Sequence, residues 1–300
     1  MQVIDTLQKK WKTIVILVPF IWLTVFFLTP FVIVAKISLA ELAIASPPFT
    51  KMIDWVDGSI ITVRVVLDNY IYIFDDPLYL RIYLNSIKIA ALSTIFALLL
   101  GYPIAYAIVR SNPITKKLLL FAIILPFWTS FLLRVYAWMG LLADQGSINN
   151  LLISLGIIDT PMRLLYTEFA VYVGIVYTYL PFMILPLYAN MEKLDNGLNE
   201  AAADLGSGPI NTFFKITLPL TMPGIIAGSL LVFIPATGEY VIPDLLGGGN
   251  VQMIGRQLFN EFARNIDWPV ASAVAIVLLL ILVVPMAVYQ HFQGKTAEVK

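Results

Sequence analysis

The sequence predicts an all-α, polytopic membrane protein with six transmembrane helices. Two observations predict it. Hydrophobic residues make up 59% of the chain against 13% charged, with a mean hydropathy of +0.85, so its 300 residues carry more apolar surface than one water-soluble core can bury. That surface is also gathered into six long runs, at residues 14–35, 84–109, 118–142, 169–189, 220–243 and 270–289. Each run is about as long as a helix needs to cross a hydrocarbon core of roughly 30 Å.

The first run follows a short polar tail, residues 1–13, with Lys9, Lys10 and Lys12. A basic tail and an apolar run also describe a signal peptide, and Ala43-Ile44-Ala45 loosely resembles a cleavage site. The run is too long for the apolar part of such a peptide, so it reads as a retained anchor. Residues 38–81 form the longest extramembrane stretch, rich in aspartate and aromatic residues. The membrane domain spans 14–290, and a polar tail, 291–300, follows it. Prolines recur inside the runs at Pro103, Pro126, Pro181, Pro186 and Pro235, where neighbouring helices tolerate the freed carbonyls and kinks often line cavities.

Lysine and arginine set the orientation. The N-terminal tail, residues 110–117, the loop at 191–219 and the C-terminal tail hold Lys9, Lys10, Lys12, Arg110, Lys116, Lys117, Lys193, Lys215, Lys295 and Lys300. The opposite segments are longer in total yet hold Lys36, Lys51, Arg64, Arg81, Arg163, Arg256 and Arg264. The bias puts both termini and the 191–219 loop in the cytoplasm.

Several classes are excluded on composition. There is no cysteine, hence no disulfide framework or thiol chemistry. Nineteen basic residues balance nineteen acidic ones, which leaves no nucleic-acid footprint. The single histidine, His291, stands at the end of the last run, so no HExxH metal site exists. Gly247-Gly248-Gly249 lacks the Lys-Ser/Thr of a phosphate-binding loop and reads as a flexible external turn.

The polar stretch 200–219, EAAADLGSGPINTFFKITLP, divides the C-terminal half. Glu and Ala start a helix at low entropic cost. Gly206, Ser207, Gly208 and Pro209 break it. A second short amphipathic piece carries Ile210, Phe213, Phe214 and Ile216. An interfacial loop that merely orients the spans is one reading. The spacing offers another: Glu200-Ala201-Ala202, three residues, Gly206, nine residues, then Ile216-x-Leu218-Pro219 resembles the EAA loop of ABC-importer permease subunits. That resemblance implies a cytoplasmic coupling element docking on an ATPase subunit.

Charged residues in or beside the runs carry the remaining signal, because charge in lipid costs at least ~2.5–3.5 kcal/mol on insertion scales. At 1.5 Å per residue, Arg134 lies roughly 24 Å into the third run and Glu239 roughly 28 Å into the fifth, both in the outer third. Asp144, Glu168 and Asp244 lie at a similar level, with Tyr136, Trp138, Tyr172 and Tyr240 nearby, and Lys88 reads as a snorkelling side chain. Two readings stand side by side. Arg134 forms a structural ion pair with Glu239 or another acid, and the rings are an interfacial belt. Alternatively Glu239, Asp244, Tyr136, Trp138 and Tyr240 line a substrate path suited to an organic cation.

Longer stretches narrow the resemblance. Asp75-Asp76-Pro77-Leu78-Tyr79, Leu100-Gly101-Tyr102-Pro103, the segment from Ser130 to Trp138, that from Gly238 to Gly248, and Asp267-Trp268-Pro269-Val270 are similar to polyamine-importer permeases, closest to the putrescine-type first permease subunit. The resemblance implies the MetI-like fold and a non-catalytic subunit without cofactor. It further implies a heterodimer with a second homologous permease, two ATPase subunits that bind ATP and Mg, and a periplasmic polyamine-binding protein. The cargo it implies is a polyamine, putrescine ahead of spermidine; another small solute as cargo, or a gradient-driven carrier or channel, is the alternative.

The topology is testable. A cysteine introduced at Asp57 should react with an impermeant thiol reagent from outside the cell, and one at Ser207 should react only after permeabilisation. The reverse labelling pattern would invert the orientation.

Overall fold

The computed structural model describes residues 15–56, 60–195 and 197–297; the tail at 1–13 and Asp57 lie outside the described residues. The chain is almost wholly helical. The helices are α1 (Val15–Ile37), α2 (Asp68–Asp75), α3 (Pro77–Arg110), α4 (Pro113–Ile124), α5 (Phe131–Leu142), α6 (Ser147–Ser154) and α7 (Glu168–Met191). Then come α8 (Gly197–Asp204), α9 (Pro209–Thr237), α10 (Val241–Leu245), α11 (Ile254–Phe259) and α12 (Trp268–Ala297). The expected C-terminal tail thus begins as a continuation of α12 rather than as a separate segment. One antiparallel hairpin, β1 (Ile53–Val56) and β2 (Ile60–Val63), stands in the expected extramembrane stretch with Ile53 opposite Val63.

Among the described residues α1, α3, α7 and α9 are long and apolar enough to cross a membrane. The third expected span, 118–142, is not a straight helix: the α4 and α5 segments meet at 94°. Pro126 lacks an amide, the chain tightens into a 3₁₀ turn over Leu125–Trp128, and Thr129 goes extended at φ −95°, ψ 151°. The Thr129 hydroxyl then donates to the Pro126 carbonyl at 2.7 Å, fixing the break. Counted as one broken crossing this pair makes a fifth span, and α12 adds a shorter apolar stretch over Trp268–Val283. The depth of Arg134, measured along a straight axis, therefore does not hold. The fifth expected span, 220–243, also ends early, at Thr237.

Residues 80–257 form one compact unit, and α7 runs through its middle. Near one end Ala170, Val171 and Ile175 pack with Ile89 and Ala90 of α3, Val135 and Leu142 of α5, and Ile242 and Leu246. Further along, Met183, Ile184 and Leu187 pack with Ala97, Ala105 and Ile108 of α3 and with Val232 of α9. Pro181 and Pro186 lie inside α7 without ending it.

Small residues allow the close approach. A Cβ on Gly228 of α9 would lie 2.8 Å from Met183 Sδ and 3.0 Å from its carbonyl oxygen. One on Gly224 would lie 2.8 Å from Asn190 Cβ and 3.1 Å from the Pro186 oxygen. Gly224 and Gly228 thus form a small-xxx-small contact through which α9 touches the backbone of α7. The first turns of α9 contain a π segment, Phe213–Thr217, between the polar loop and the apolar helix.

Residues 1–79 and 258–300 make the other unit, in which Thr29–Ile37 packs on α12. Asn69 Nδ2 donates to the carbonyls of Ser38 (3.0 Å) and Ala40 (2.8 Å). The buried Glu261 carboxylate accepts from Tyr79 (2.8 Å) and Asn265 (2.7 Å). Asp76 accepts from the Leu78 amide at 2.8 Å, so Asp76-Pro77 is the N-terminal cap and first position of α3.

Gly228→Val should force α7 and α9 apart and cost ~1–3 kcal/mol of stability, read as a fall of several degrees in the unfolding temperature of the detergent-solubilised protein. Gly140→Ala, whose new Cβ meets nothing within 4 Å, should leave that temperature unchanged or slightly raised. Equal effects of both would dismiss the close-contact role of Gly228.

Candidate functional site

The predicted loop is a helix–turn–helix. α8 ends in a Schellman motif: the Ser207 amide donates to Ala202 O and the Gly206 amide to Ala203 O, each at 2.9 Å. Gly206 takes the left-handed conformation this needs, at φ +77°, with open space around it. The glycine is there for its backbone angle, not for room. Glu200, Ala201 and Ala203 are exposed, as is Pro219, while Ile216 and Leu218 are half-buried. Ala202 differs from its neighbours: at 5% exposure it belongs to the interior of the loop.

The second helix does not turn all its apolar residues inward. Ile210 is 73% exposed and Phe214 60%, beside Leu205 at 89%. All three apolar side chains thus stand exposed on the loop. Phe213 instead packs edge-on against Tyr102 of α3, with centroids 5.6 Å apart. The Tyr102 hydroxyl lies 3.0 Å from Thr221 Oγ1. The loop is therefore fixed to α3 at the point where α9 becomes apolar.

At the other end of α9, Glu239 is buried, 9% exposed, in the break between α9 and α10. Its Oε1 accepts from the amides of Tyr240 (3.2 Å), Val241 (3.1 Å) and Ile242 (3.5 Å), capping α10. Its Oε2 accepts from the Tyr179 hydroxyl of α7 at 2.5 Å.

Arg134 is not brought to Glu239. It lies over the rings of Phe127 and Phe131, at 5.7 and 5.9 Å from their centroids, and enters none of the ion pairs among the described residues. Phe127 meets Phe182 edge-on at 5.4 Å, and Phe182 meets Tyr179 at 6.1 Å. A row of three rings thus connects the arginine to the carboxylate in place of a salt bridge.

Asp244 is neutralised by a residue outside the sequence-derived set. Arg256 Nε lies 2.9 Å from Asp244 Oδ1, and its Nη1 donates to the Gly248 carbonyl. Gly247 and Gly248 are packed rather than loose: a Cβ on Gly247 would lie 2.7 Å from Pro243 O, and Gly248 has φ +55° against Tyr166, while a Cβ on Gly249 would meet nothing within 4 Å. Lys88, expected to snorkel, is half exposed and pairs with Glu168 at 3.0 Å. Trp138 packs on Tyr177 at 5.5 Å, Tyr136 is exposed, and Tyr240 is half-buried beside the cap. An apolar groove of about 730 Å³ runs between α3 and α7, with Trp138 at its wall. Asp144 is exposed. Of the predicted outer set, Glu239, Tyr240 and Asp244 lie together at the start of α10, the Asp244 amide donating to the Tyr240 carbonyl at 3.1 Å; Tyr136 and Trp138 lie on α5.

Long apolar helices around a central glycine-packed pair, with a capped polar loop between two of them, define a polytopic helical protein of membrane type, and the sequence comparisons give its class. Residues 97–297 match the family described as binding-protein-dependent transport system inner membrane component, and the chain belongs to that family. It is 46% identical over 225 residues to the spermidine/putrescine transport system permease protein PotB of Haemophilus influenzae, covering 75% of this chain and 78% of that one. To PotB of Escherichia coli K12 it is 43% identical over 233 residues, covering 78% and 84%. Its fold is similar to a chain of a bacterial ABC transporter that imports the acidic polysaccharide alginate, with a TM-score of 0.71, 16% identity and 98% of this chain covered. The fold is all-α and MetI-like.

Asp244→Asn should leave Arg256 without its counter-charge and lower stability by ~1–3 kcal/mol. Adding Arg256→Gln should recover most of the loss. A double mutant no more stable than Asp244→Asn, by thermal unfolding, would show that the pair is incidental.

Proposed function

We propose that this chain is the non-catalytic permease subunit of an ATP-driven importer that moves polyamines, putrescine and spermidine, from periplasm to cytoplasm across a bacterial inner membrane. Identity above 40% to PotB over more than two thirds of both chains carries this reading. The alginate importer supports the fold and says nothing about cargo.

Six crossings follow if the bent α4–α5 pair and α12 each count as one. Both termini and α8 then lie in the cytoplasm, in keeping with the lysine and arginine bias. A second, homologous permease would complete the path, two ATPase subunits would supply the energy, and a periplasmic binding protein would deliver the cargo. Within the path Glu239 is the carboxylate best suited to a cation, since Asp244 is already held by Arg256.

The loop is the point of coupling in this reading. Glu200 and the exposed Leu205, Ile210 and Phe214 offer a mixed charged and apolar face to the ATPase, and the contact of Phe213 and Tyr102 passes its displacement to α3. Ala202, being internal, shapes this face without touching a partner.

Gly206→Asp tests the coupling. The substitution strains a left-handed residue and sets a carboxylate beside an apolar docking face, at a place where nothing inside the chain is in its way. The expected outcome is full-length protein in the membrane, little ATPase subunit co-purifying, and uptake of radiolabelled putrescine reduced to background. Retention of both ATPase binding and ATP-dependent uptake would refute the assignment and favour a gradient-driven carrier.

A further inference from the structure

The two oxygens of the Glu239 carboxylate are held in different ways. Oε1 faces the backbone amides of Tyr240, Val241 and Ile242, groups fixed by the fold. Among the described residues Oε2 accepts from the hydroxyl of Tyr179, which turns about a single C–O bond. The tyrosine lies on α7, and the carboxylate follows the end of α9.

From Tyr179 the rings of Phe182 and Phe127 lead outward, and both are more than a third exposed. A buried carboxylate at the end of an aromatic row that reaches the surface is costly in lipid and serves no apolar packing. Its chemistry matches a primary ammonium, which donates charge-assisted hydrogen bonds to a carboxylate and is attracted to ring faces.

We propose that Glu239 Oε2 is an exchangeable site for the ammonium group of the cargo and that the Tyr179 hydroxyl holds this site when no cargo is present. The inference rests on the polyamine-import reading. An arriving ammonium donates to Oε2, the Tyr179 hydroxyl turns away, and the proton stays on nitrogen throughout. Oε1 keeps its three amides, so α10 remains capped while the cation passes. Tyr179 is a specificity-determining residue: it prevents a bare carboxylate from trapping the cargo, and its ring stays beside the ammonium after the exchange. Arg134 at the other end of the row repels a cation, which favours one-way occupancy of the inner end.

Two substitutions separate this from a purely structural cap. Glu239→Gln keeps an oxygen for the α10 amides and an amide that can donate to Tyr179, and removes only the charge. Tyr179→Phe keeps the ring and removes the hydroxyl. The complex of this chain with its second permease, ATPase and binding protein is reconstituted, and uptake of radiolabelled putrescine is measured against concentration.

Glu239→Gln should be recovered as assembled complex yet lose about tenfold or more in uptake, the scale of one charged hydrogen bond. Tyr179→Phe should lower both the half-saturating concentration and the maximal rate, by about threefold or more, because cargo is held more tightly and released more slowly. A cap with no role in binding gives normal uptake in Glu239→Gln and an unchanged half-saturating concentration in Tyr179→Phe; either result overturns the proposal. Infrared difference spectra on adding putrescine give a readout that needs no uptake. A shift of a carboxylate stretch, absent in Glu239→Gln, is expected, and an unshifted band overturns the site. A wild-type complex that shows the shift but moves no putrescine would count against the import reading and leave the cation site standing.

Discussion

The contact of α7 with α9 at Gly224 and Gly228 is the constraint on which the larger unit depends. Between helices in a bilayer no hydrophobic force distinguishes a neighbour from lipid, so packing distance decides which helices stay together. With a side chain at either glycine, α9 would meet the carbonyls of Pro186 and Met183. Gly101 of α3 sits on the same methionine, 2.9 Å from Met183 Cγ by the same measure. Three helices thus meet around one flexible side chain, well suited to an irregular gap. The break after Thr237, the cap at Glu239 and the position of Tyr179 all follow from α9 lying against α7 in this register.

Charge is handled differently at each place it occurs. Lys88 with Glu168 and Lys116 with Glu192 are exposed pairs that add little stability. Asp244 and Arg256 are mostly buried and hold a glycine turn closed. Glu239 is satisfied by dipoles, from backbone amides and one phenol, without a cation. Arg134 is accommodated by aromatic faces. The arrangement keeps Arg134 and Glu239 apart, where simple neutralisation would have joined them.

The polar loop was legible because its signals are local. Ala-rich helix start, Gly206 as terminator and Pro209 at the first position of the next helix are all set within a few residues. The start of α3 at Pro77 was not legible: the apolar run begins only at Leu84, and the Asp76 cap lies in the polar stretch before it. The spans were legible as apolar runs but not as straight helices, since proline alone does not say whether a helix survives it. Pro181 and Pro186 lie inside α7, Pro181 buried, and the helix continues; after Pro126 the chain tightens into a 3₁₀ turn, the Thr129 hydroxyl donates to the Pro126 carbonyl, and the helix stops. The partners of the charged residues were not legible. Tyr179 and Glu239 are sixty positions apart in sequence, and Asp244 finds Arg256 across a turn whose closure depends on packed glycines.

The π segment at Phe213–Thr217 lies between the loop and the apolar helix. A wide turn of this kind is equivalent to one residue inserted in a regular helix, so it offsets the angular phase of everything on one side relative to the other. The face bearing Ile210 and Phe214 is therefore not a straight continuation of the face bearing Gly224 and Gly228. A push delivered to the loop reaches the glycine contact at an azimuth the π turn sets, and tightening that turn to regular α geometry would convert a translation of the loop into rotation of the helix about its own axis.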